Sequence, residues 1–386
     1  MVIDAVTASG PRPAIEIAPL GEAAGRVLAQ FAHADRDYPP VARSLRDGFA
    51  VRSADLPGAL RVVGEVAAGG MFPGEVGPGE CVEIMTGAPV PCGADAIVMV
   101  EHTRREGELM ATSRSPKPGE FVNARAAEAR HGQELLPPGR RLDFADIAML
   151  ATIGMREVPV FAKPVVAILS TGDEVVPVES IPADNQVRNS NAWSVAAQVA
   201  LAGGIPRILP VAPDNEADTR RLIEEGLRAD LLLLSGGVSA GKYDYVEPVL
   251  AALGAEFHFD RVLIQPGQPL VFGRVRGRFF FGLPGNPAST MVTYRLFAEA
   301  ATRLLAGETE TPLPMPRARI THDFSHKTGL TRFLPARVSD DAGEVTALRW
   351  QGSSDVAALA RSNAFLVVDA DRESWKQGDS IRVILK

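Results

Sequence analysis

Residues 165–174 read VVAILSTGDE, residues 231–241 read LLLLSGGVSAG and residues 279–289 read FFFGLPGNPAS. Each begins as an unbroken apolar run and ends in a loop of Ser, Thr, Gly and Pro. A strand covered on both faces has no polar side to show, so such runs predict interior strands of a parallel sheet. Between them the spacing turns helical. The pattern predicts strands at 165–169, 207–211, 231–234 and 279–281, and helices at 192–201, 216–228, 245–253 and 288–305. Strand–helix alternation of this kind implies a parallel sheet with helices on both faces. In such sheets ligands bind beyond the carboxyl ends of the strands. Glycine lets the backbone approach a ligand, and a helix N-terminus offers free N–H groups to an anion. One such loop reads equally as an ordinary turn; a set on neighbouring strand ends points to a phosphate-bearing small molecule.

Outward from this stretch the texture changes. Residues 41–130 hold short apolar runs (60–66, 81–85, 96–100) between Pro-Gly turns, which predicts a small, barrel-like β domain. Before it, Pro19 to Ala32 places Leu20, Ala23, Ala24, Val27, Leu28 and Phe31 at helical spacing; after it, 132–160 resumes a helical pattern. The β segment therefore reads as an insertion into a discontinuous N-terminal domain, mainly helical or extended, made of 1–40 plus 131–162. The inserted β domain is 41–130, the α/β domain 163–308, and a C-terminal, barrel-like β domain follows a proline-rich linker over 312–386.

Composition agrees with a multidomain α/β and β protein. The chain has 386 residues, too many for one ordinary core, and a net charge of −7. That charge disfavours nucleic acid as a partner, since non-specific binding needs clustered Lys and Arg. No apolar run approaches the ~20 residues of a membrane span, and the first residues lack the basic and apolar regions of a signal peptide; the expectation is a cytoplasmic protein without membrane association. Cys81 and Cys92 make no zinc or CxxC spacing and read as free thiols. His33, His102, His131, His258, His322 and His326 form no ligand set.

Acids sit beside the strand-end loops: Glu174, Asp214 and Asp244 each lie just past a strand end. Helix capping explains each one singly. Together, beside phosphates, they suit Mg²⁺, which takes a few carboxylates plus substrate oxygens.

These residues resemble a family. Ser170-Thr171-Gly172-Asp173-Glu174, SGGVSAGKYDY at 235–245, QPGQP at 265–269 and GLPGNPAS at 282–289 are similar to motifs of the molybdopterin molybdenumtransferases, the MoeA proteins, of which the gephyrin E domain is an animal relative. Arg46-Asp47-Gly48-Phe49-Ala50 resembles the family's M-D-G-Y/F-A, and Met85 to Pro91 matches its M-T-G-A-P-V-P. The resemblance covers essentially the whole chain. It implies a central domain of molybdopterin-binding type, and a reaction that takes adenylylated molybdopterin and molybdate, places the metal on the pterin dithiolene and releases AMP. It also implies Mg²⁺, a homodimer whose cleft is shared between subunits, and the molybdopterin adenylyltransferase as a partner.

Carried over position by position, Asp47, Thr86, Glu174, Asp214 and Asp244 are the implied catalytic set, with Asp47 and Thr86 reaching in from the second subunit and Asp244 the most important acid. Asp244 and Glu174 are the implied metal ligands. Ser170, Thr171, Gly172, Ser235, Gly236, Gly237, Ser239, Pro284, Gly285, Asn286 and Ser289 are the implied substrate-binding residues.

The chain departs from the pattern at the oxyanion end. The family's K-P-G-K reads Gln265-Pro266-Gly267-Gln268 here. Glutamine donates hydrogen bonds without charge, and a charge-assisted bond is roughly twice as strong as a neutral one. Arg261, Arg332 and Arg337 are candidate compensating cations, with Ser353 and both glutamines completing the candidate molybdate set. Lys242 stands at a usually acidic position, Arg46 replaces a methionine, and Asn189 stands where many relatives have an acid. The alternatives are a paralogue preferring another oxyanion such as tungstate, or a weakly catalytic molybdopterin-binding scaffold. Retention of the acid set argues against a scaffold. A kinase-like enzyme lacks support, since no G-x-x-x-x-G-K-[ST] loop is present.

Overall fold

The computed structural model describes residues 1–237, 245–309 and 311–386. The chain divides into two compact units: Met1–Ala29 with Pro138–Asp143 and Glu157–Lys386, and Gln30–Pro137 with Phe144–Arg156.

The first unit begins with helix α1 (Val2–Ser9) and strand β1 (Ile15–Pro19). The helix expected over Pro19 to Ala32 is absent. Only a 3₁₀ turn, Leu20–Glu22, interrupts extended chain. Gly25 takes φ +75°, which an α-helix cannot use, and Leu28 and Ala29 donate their N–H groups to Arg140 and Pro159 of the returning segments. Ala23, Val27 and Leu28 are buried as their spacing suggests, but Phe31 is exposed. The apolar set is met by a thin layer of strand-like bridges, not by one helical face.

The second unit holds a six-stranded sheet: β2 (Gly48–Val51), β3 (Gly58–Val66), β4 (Glu80–Ile84), β5 (Ala96–Met99), β6 (Arg104–Glu106) and β7 (Leu109–Thr112). Its order is β5-β2-β4-β3-β7-β6, with no rung closing a ring among the described residues. Alternation along β2 sends Phe49 and Val51 into one apolar cluster and Ala50 into another, so both faces of this sheet are covered. Gly48 has no room for a side chain; a Cβ there would lie 2.0 Å from the Val98 carbonyl oxygen. The unit also carries helix α2 (Phe144–Thr152). Cys81 and Cys92 are free thiols, and burial pushes the Cys81 thiol up to about 12.

Back in the first unit, β8 (Glu157–Phe161) pairs antiparallel with β1. The α/β domain then runs β9 (Val165–Ser170), α3 (Ser190–Leu201), β10 (Ile205–Ile208), α4 (Glu216–Gly226), β11 (Leu231–Ser235), α5 (Val246–Ala252), β12 (Glu256–Phe259), β13 (Ile264–Gln265), β14 (Val271–Val275) and β15 (Arg278–Leu283). Its sheet order is β10-β9-β11-β15-β14-β12. The four strands β10, β9, β11 and β15 are parallel as expected, but β14 and β12 are antiparallel additions, so the sheet is mixed. The reason is a two-residue hairpin: Arg276 (φ +49°) and Gly277 (φ +78°) both take positive φ, the geometry that matches strand twist. Val166, Ile168, Leu231 and Leu233 face one core; Ala167, Leu169, Leu232 and Leu234 face the other.

The expected single helix over 288–305 is α6 (Pro287–Thr293) and α7 (Glu299–Leu305) joined by a π turn at Tyr294–Ala298. The extra residue in that turn lets Ala288 and Val292 pack toward the C-terminal domain while Ala301 and Leu305 enter the α/β core.

The C-terminal domain comprises β16 (Arg317–Ile320), β17 (Thr331–Val338), β18 (Glu344–Ala347), α8 (Val356–Arg361), β19 (Ala364–Val368) and β20 (Ser380–Leu385). The ladder β17-β18-β16-β20-β19 returns to β17 and closes a five-stranded barrel around Trp375, Leu366 and Val383. The short β13 pairs in parallel with the outside of this ring, at the start of β17. Among the described residues no helix is long and apolar enough to cross a membrane.

Candidate functional site

The strand order places the site. The chain leaves β9 through α3 to β10 on one side, then crosses to β11 on the other side of β9. The crevice at such a reversal is where open α/β sheets bind ligands. A cavity of about 730 Å³ lies there, and its floor includes Ser170 and Ser235, register partners at the ends of β9 and β11.

Loops beyond the strand ends and the start of a helix line it. After β9 come Thr171, Gly172 and Glu174; after β11, Gly236 and Gly237; after β15, Pro284, Gly285 and Asn286. Thr171 N–H donates to the Ser235 carbonyl at 3.1 Å, and Gly236 N–H to that of Leu283 at 3.2 Å, so the loops are pinned to one another at their roots. Gly236 and Gly237 take φ +91° and +68°, and a Cβ on Gly237 would meet Val246 at 2.7 Å. Glycine is required there by both conformation and space.

Nine of the expected substrate-binding residues therefore line one cavity. Ser289 is buried on α6 and its carbonyl accepts from the Thr293 hydroxyl, so it supports the wall from behind. Ser239, Asp244 and Lys242 lie outside the described residues.

Glu174 and Asp214 both reach the cavity. Asp214 N–H donates to the Asp173 carboxylate at 3.0 Å, and Asp173 N–H returns to Asp214 at 3.5 Å, which ties the loop after β9 to the loop after β10. Among the described residues no three His, Cys, Asp or Glu side chains gather in a metal-holding group.

The candidate oxyanion residues divide. Gln265 is the register partner of Arg332 across β13 and β17. Arg332 is only 8% exposed; its Nε donates to the Lys327 carbonyl at 3.3 Å, and among the described residues it has no carboxylate partner. Burial first, and the Arg332 charge second, hold the His326 imidazole below its ordinary pKa. The Gln268 carbonyl accepts N–H groups of Val262 and Leu270, and Pro269 beside it lines the cavity. The Ser353 carbonyl accepts from Ala288 N–H at 2.9 Å, which seats its loop on the start of α6 and brings Ser354 to the cavity wall. Arg261 instead lines a separate cleft of about 510 Å³ beside Met1–Asp4, and Arg337 is exposed on β17.

In the second unit Asp47 and Thr86 come together. One Asp47 oxygen accepts Thr86 N–H at 2.6 Å and the Thr86 hydroxyl at 2.8 Å. These two bonds hold the Asp47 carboxyl below the ordinary carboxylate range, the backbone bond contributing most. Arg43 steadies the same turn by donating to the Gly87 carbonyl at 2.6 Å.

Two asparagines at the start of α3 also line the cavity. Asn191 donates from Nδ2 to the Ser235 hydroxyl at 2.9 Å and to the Gly285 carbonyl at 2.7 Å, joining two loops through one amide. Nothing in the sequence pattern marks Asn191. Asn189 caps α3, a role its position before a helical run does suggest.

Comparison with known proteins matches three successive stretches of the chain. Residues 2–154 match the MoeA N-terminal region (domain I and II), residues 167–303 a probable molybdopterin binding domain, and residues 317–386 the MoeA C-terminal region (domain IV). A molybdopterin molybdenumtransferase of Nostoc is 38% identical over 325 residues, 81% of this chain and 74% of that protein. One of Bacillus subtilis is 35% identical over 377 residues, 93% of this chain and 87% of that protein. Among solved structures, a molybdopterin biosynthesis MoeA protein of Pyrococcus horikoshii superposes with a TM-score of 0.81 at 27% identity, covering 99% of this chain and 97% of that one.

Proposed function

The chain belongs to the MoeA family, the molybdopterin molybdenumtransferases, and on that premise we propose that it joins molybdenum from molybdate to adenylylated molybdopterin and releases AMP. It is a transferase of molybdenum cofactor biosynthesis. The observation that carries the proposed reaction is the cavity at the sheet's switch point, walled by hydroxyls and glycine amides and bordered by two carboxylates.

Each group has a role that its chemistry supports. The Thr171 and Ser235 hydroxyls and the Gly237 amide donate to phosphate oxygens, while the Ser170 hydroxyl, which already donates to Asn189, accepts from pterin polar groups. Glu174 and Asp214, with Asp244, would hold Mg²⁺, whose hard oxygen preference fits carboxylates beside phosphate. When bound, that ion supplies positive charge against the phosphoanhydride. Arg332, a buried cation without a carboxylate, supplies charge for molybdate where Gln265 and Gln268 bring none. Asp47 and Thr86 act from a second copy of the chain in a homodimer that works in the cytoplasm. The enzyme that adenylylates molybdopterin is a natural partner, because its product is this substrate.

Purified protein given adenylylated molybdopterin, molybdate and Mg²⁺ is expected to release AMP and yield active cofactor. No AMP above background, with and without Mg²⁺, would falsify the reaction. A second reading, preference for another oxyanion, rests on the neutral Gln265 and Gln268. Tungstate turning over faster than molybdate at equal concentration would favour it.

A further inference from the structure

We propose that His326 is a positioning residue for the oxyanion end of the site: its imidazole Nδ1 holds the Lys327 main chain, and the Lys327 carbonyl in turn aims the Arg332 guanidinium at molybdate. This rests on the assignment of molybdate to Arg332.

The guanidinium is anchored at one atom. Arg332 is only 8% exposed, and its side chain makes one hydrogen bond among the described residues, from Nε to the Lys327 carbonyl at 3.3 Å. Both terminal nitrogens are left to donate to a ligand. A guanidinium is planar and rigid, so the acceptor at Nε sets the direction in which the other two nitrogens point. Buried charges and buried donors are ordinarily paired, and this one has no carboxylate among the described residues, which suits it to an anion.

The Lys327 main chain is held from the other side. Its N–H donates to His326 Nδ1 at 2.9 Å. A main-chain N–H can only donate, so Nδ1 is the acceptor and the ring carries its proton on Nε2. Burial first, and the Arg332 charge second, hold the imidazole below its ordinary pKa, which favours that form. The ring centroid lies 6.0 Å from that of Phe324, which lies 5.6 Å from that of Trp375, a residue 2% exposed in the barrel core. Named contacts thus run from the barrel core through His326 and Lys327 to Arg332.

The course of the loop does not depend on the imidazole. His326 N–H donates to the Glu373 carbonyl at 2.8 Å and Gly329 N–H to that of Ala370 at 2.8 Å, and both are main-chain bonds. Losing the ring therefore frees the Lys327 main chain without opening the barrel.

The test compares His326→Leu and His326→Asn with the wild type in the full chain. The amide oxygen of asparagine stands close to the place of Nδ1, so His326→Asn keeps the acceptor and His326→Leu removes it. Molybdate affinity is measured by calorimetry, and kcat and the KM of each substrate by AMP release. His326→Leu is expected to weaken molybdate and raise its KM about tenfold, the order of effect when an outer partner of a binding group is lost. Its kcat and its KM for adenylylated molybdopterin should stay within about twofold of wild type, and His326→Asn should recover most of the molybdate loss. NMR of the imidazole nitrogens should show the Nε2–H tautomer at neutral pH. Molybdate affinity and KM within about twofold of wild type in folded His326→Leu, an equal loss in both variants, or the Nδ1–H tautomer would each overturn the proposal. If His326→Leu fails to fold, His326→Gln, whose amide reaches the place of Nε2 instead, decides by the same thresholds. Arg332→Gln that binds molybdate as tightly as wild type would overturn the assignment of molybdate to Arg332 and this proposal with it. Wild-type protein that binds molybdate without releasing AMP would overturn the reaction, and the affinity comparison would still decide the role of His326.

Discussion

Gln265 and Arg332 are register partners across the short parallel pairing that joins β13 to the barrel strand β17. A neutral amide thus stands beside a buried guanidinium that no carboxylate neutralises among the described residues. If Arg332 carries the oxyanion charge, Arg332→Gln should raise KM for molybdate by about 10- to 100-fold, since hydrogen bonds to charged groups contribute ~1.5–3 kcal/mol. Gln265→Lys in the same background should recover part of the loss. AMP release titrated against molybdate checks both, and an unchanged KM in Arg332→Gln would remove the assignment.

Asn191 joins the loops after β11 and β15 with two donated hydrogen bonds. Asn191→Asp should turn this clamp into a pH-dependent one. The carboxylate would face the Gly285 carbonyl, which raises its pKa above the usual ~3.9. Above that pKa the group cannot donate and the loops separate; below it the protonated acid restores one bond. The variant's kcat/KM relative to wild type should rise about tenfold from pH 8 to pH 5. A flat ratio would mean that the clamp is not limiting.

The Asp47 carboxyl is held low first by Thr86 N–H and second by the Thr86 hydroxyl. Thr86→Val removes only the second. The carboxyl should then titrate higher, though still below the ordinary value, as followed by NMR. The sign for stability follows from the depressed folded pKa. The contribution is present above the unfolded carboxyl value of ~3.9 and is lost as pH falls through the folded value. The variant should lose that contribution at a higher pH than wild type.

Glu308 is 5% exposed and receives Arg141 Nε at 2.8 Å on one oxygen and Arg303 at 2.7 Å on the other. Arg141 also donates to carbonyls at the end of α3. Removing one member of a buried ion cluster leaves the others uncompensated, at about 3 kcal/mol or more. Glu308→Ala should lower the urea midpoint accordingly, and Glu308→Gln less. A shift under about 0.5 kcal/mol in Glu308→Ala would show that water compensates both guanidiniums.

The interior strands were readable because β9 and β11 are apolar throughout and stop at Ser170 and Ser235, where the backbone turns to Gly and Thr. The antiparallel edge was not, because its hairpin is Arg276-Gly277, a pair without the usual Asn or Asp turn signal. The π turn at Tyr294–Ala298 shifts the apolar phase of one long helix, which a fixed period cannot follow. In the site, residues on the loops themselves were legible from composition. Asn191 was not, because its partners Ser235 and Gly285 lie 44 and 94 residues away along the chain. The relation of Gln265 to Arg332 was hidden for the same reason, since it depends on a pairing between domains that share no sequence signal.

The floor of the cavity is the last rung of the sheet, Ser170 beside Ser235. Deepening it would mean opening the backbone ladder in the middle of the domain. Widening it is a different matter, because its walls are loops, and doubling a loop's length costs only ~0.6 kcal/mol in closure entropy. Depth is thus inherited with the sheet, while breadth is open to insertion and deletion. A scaffold of this kind can be refitted to wider or narrower ligands without being refolded.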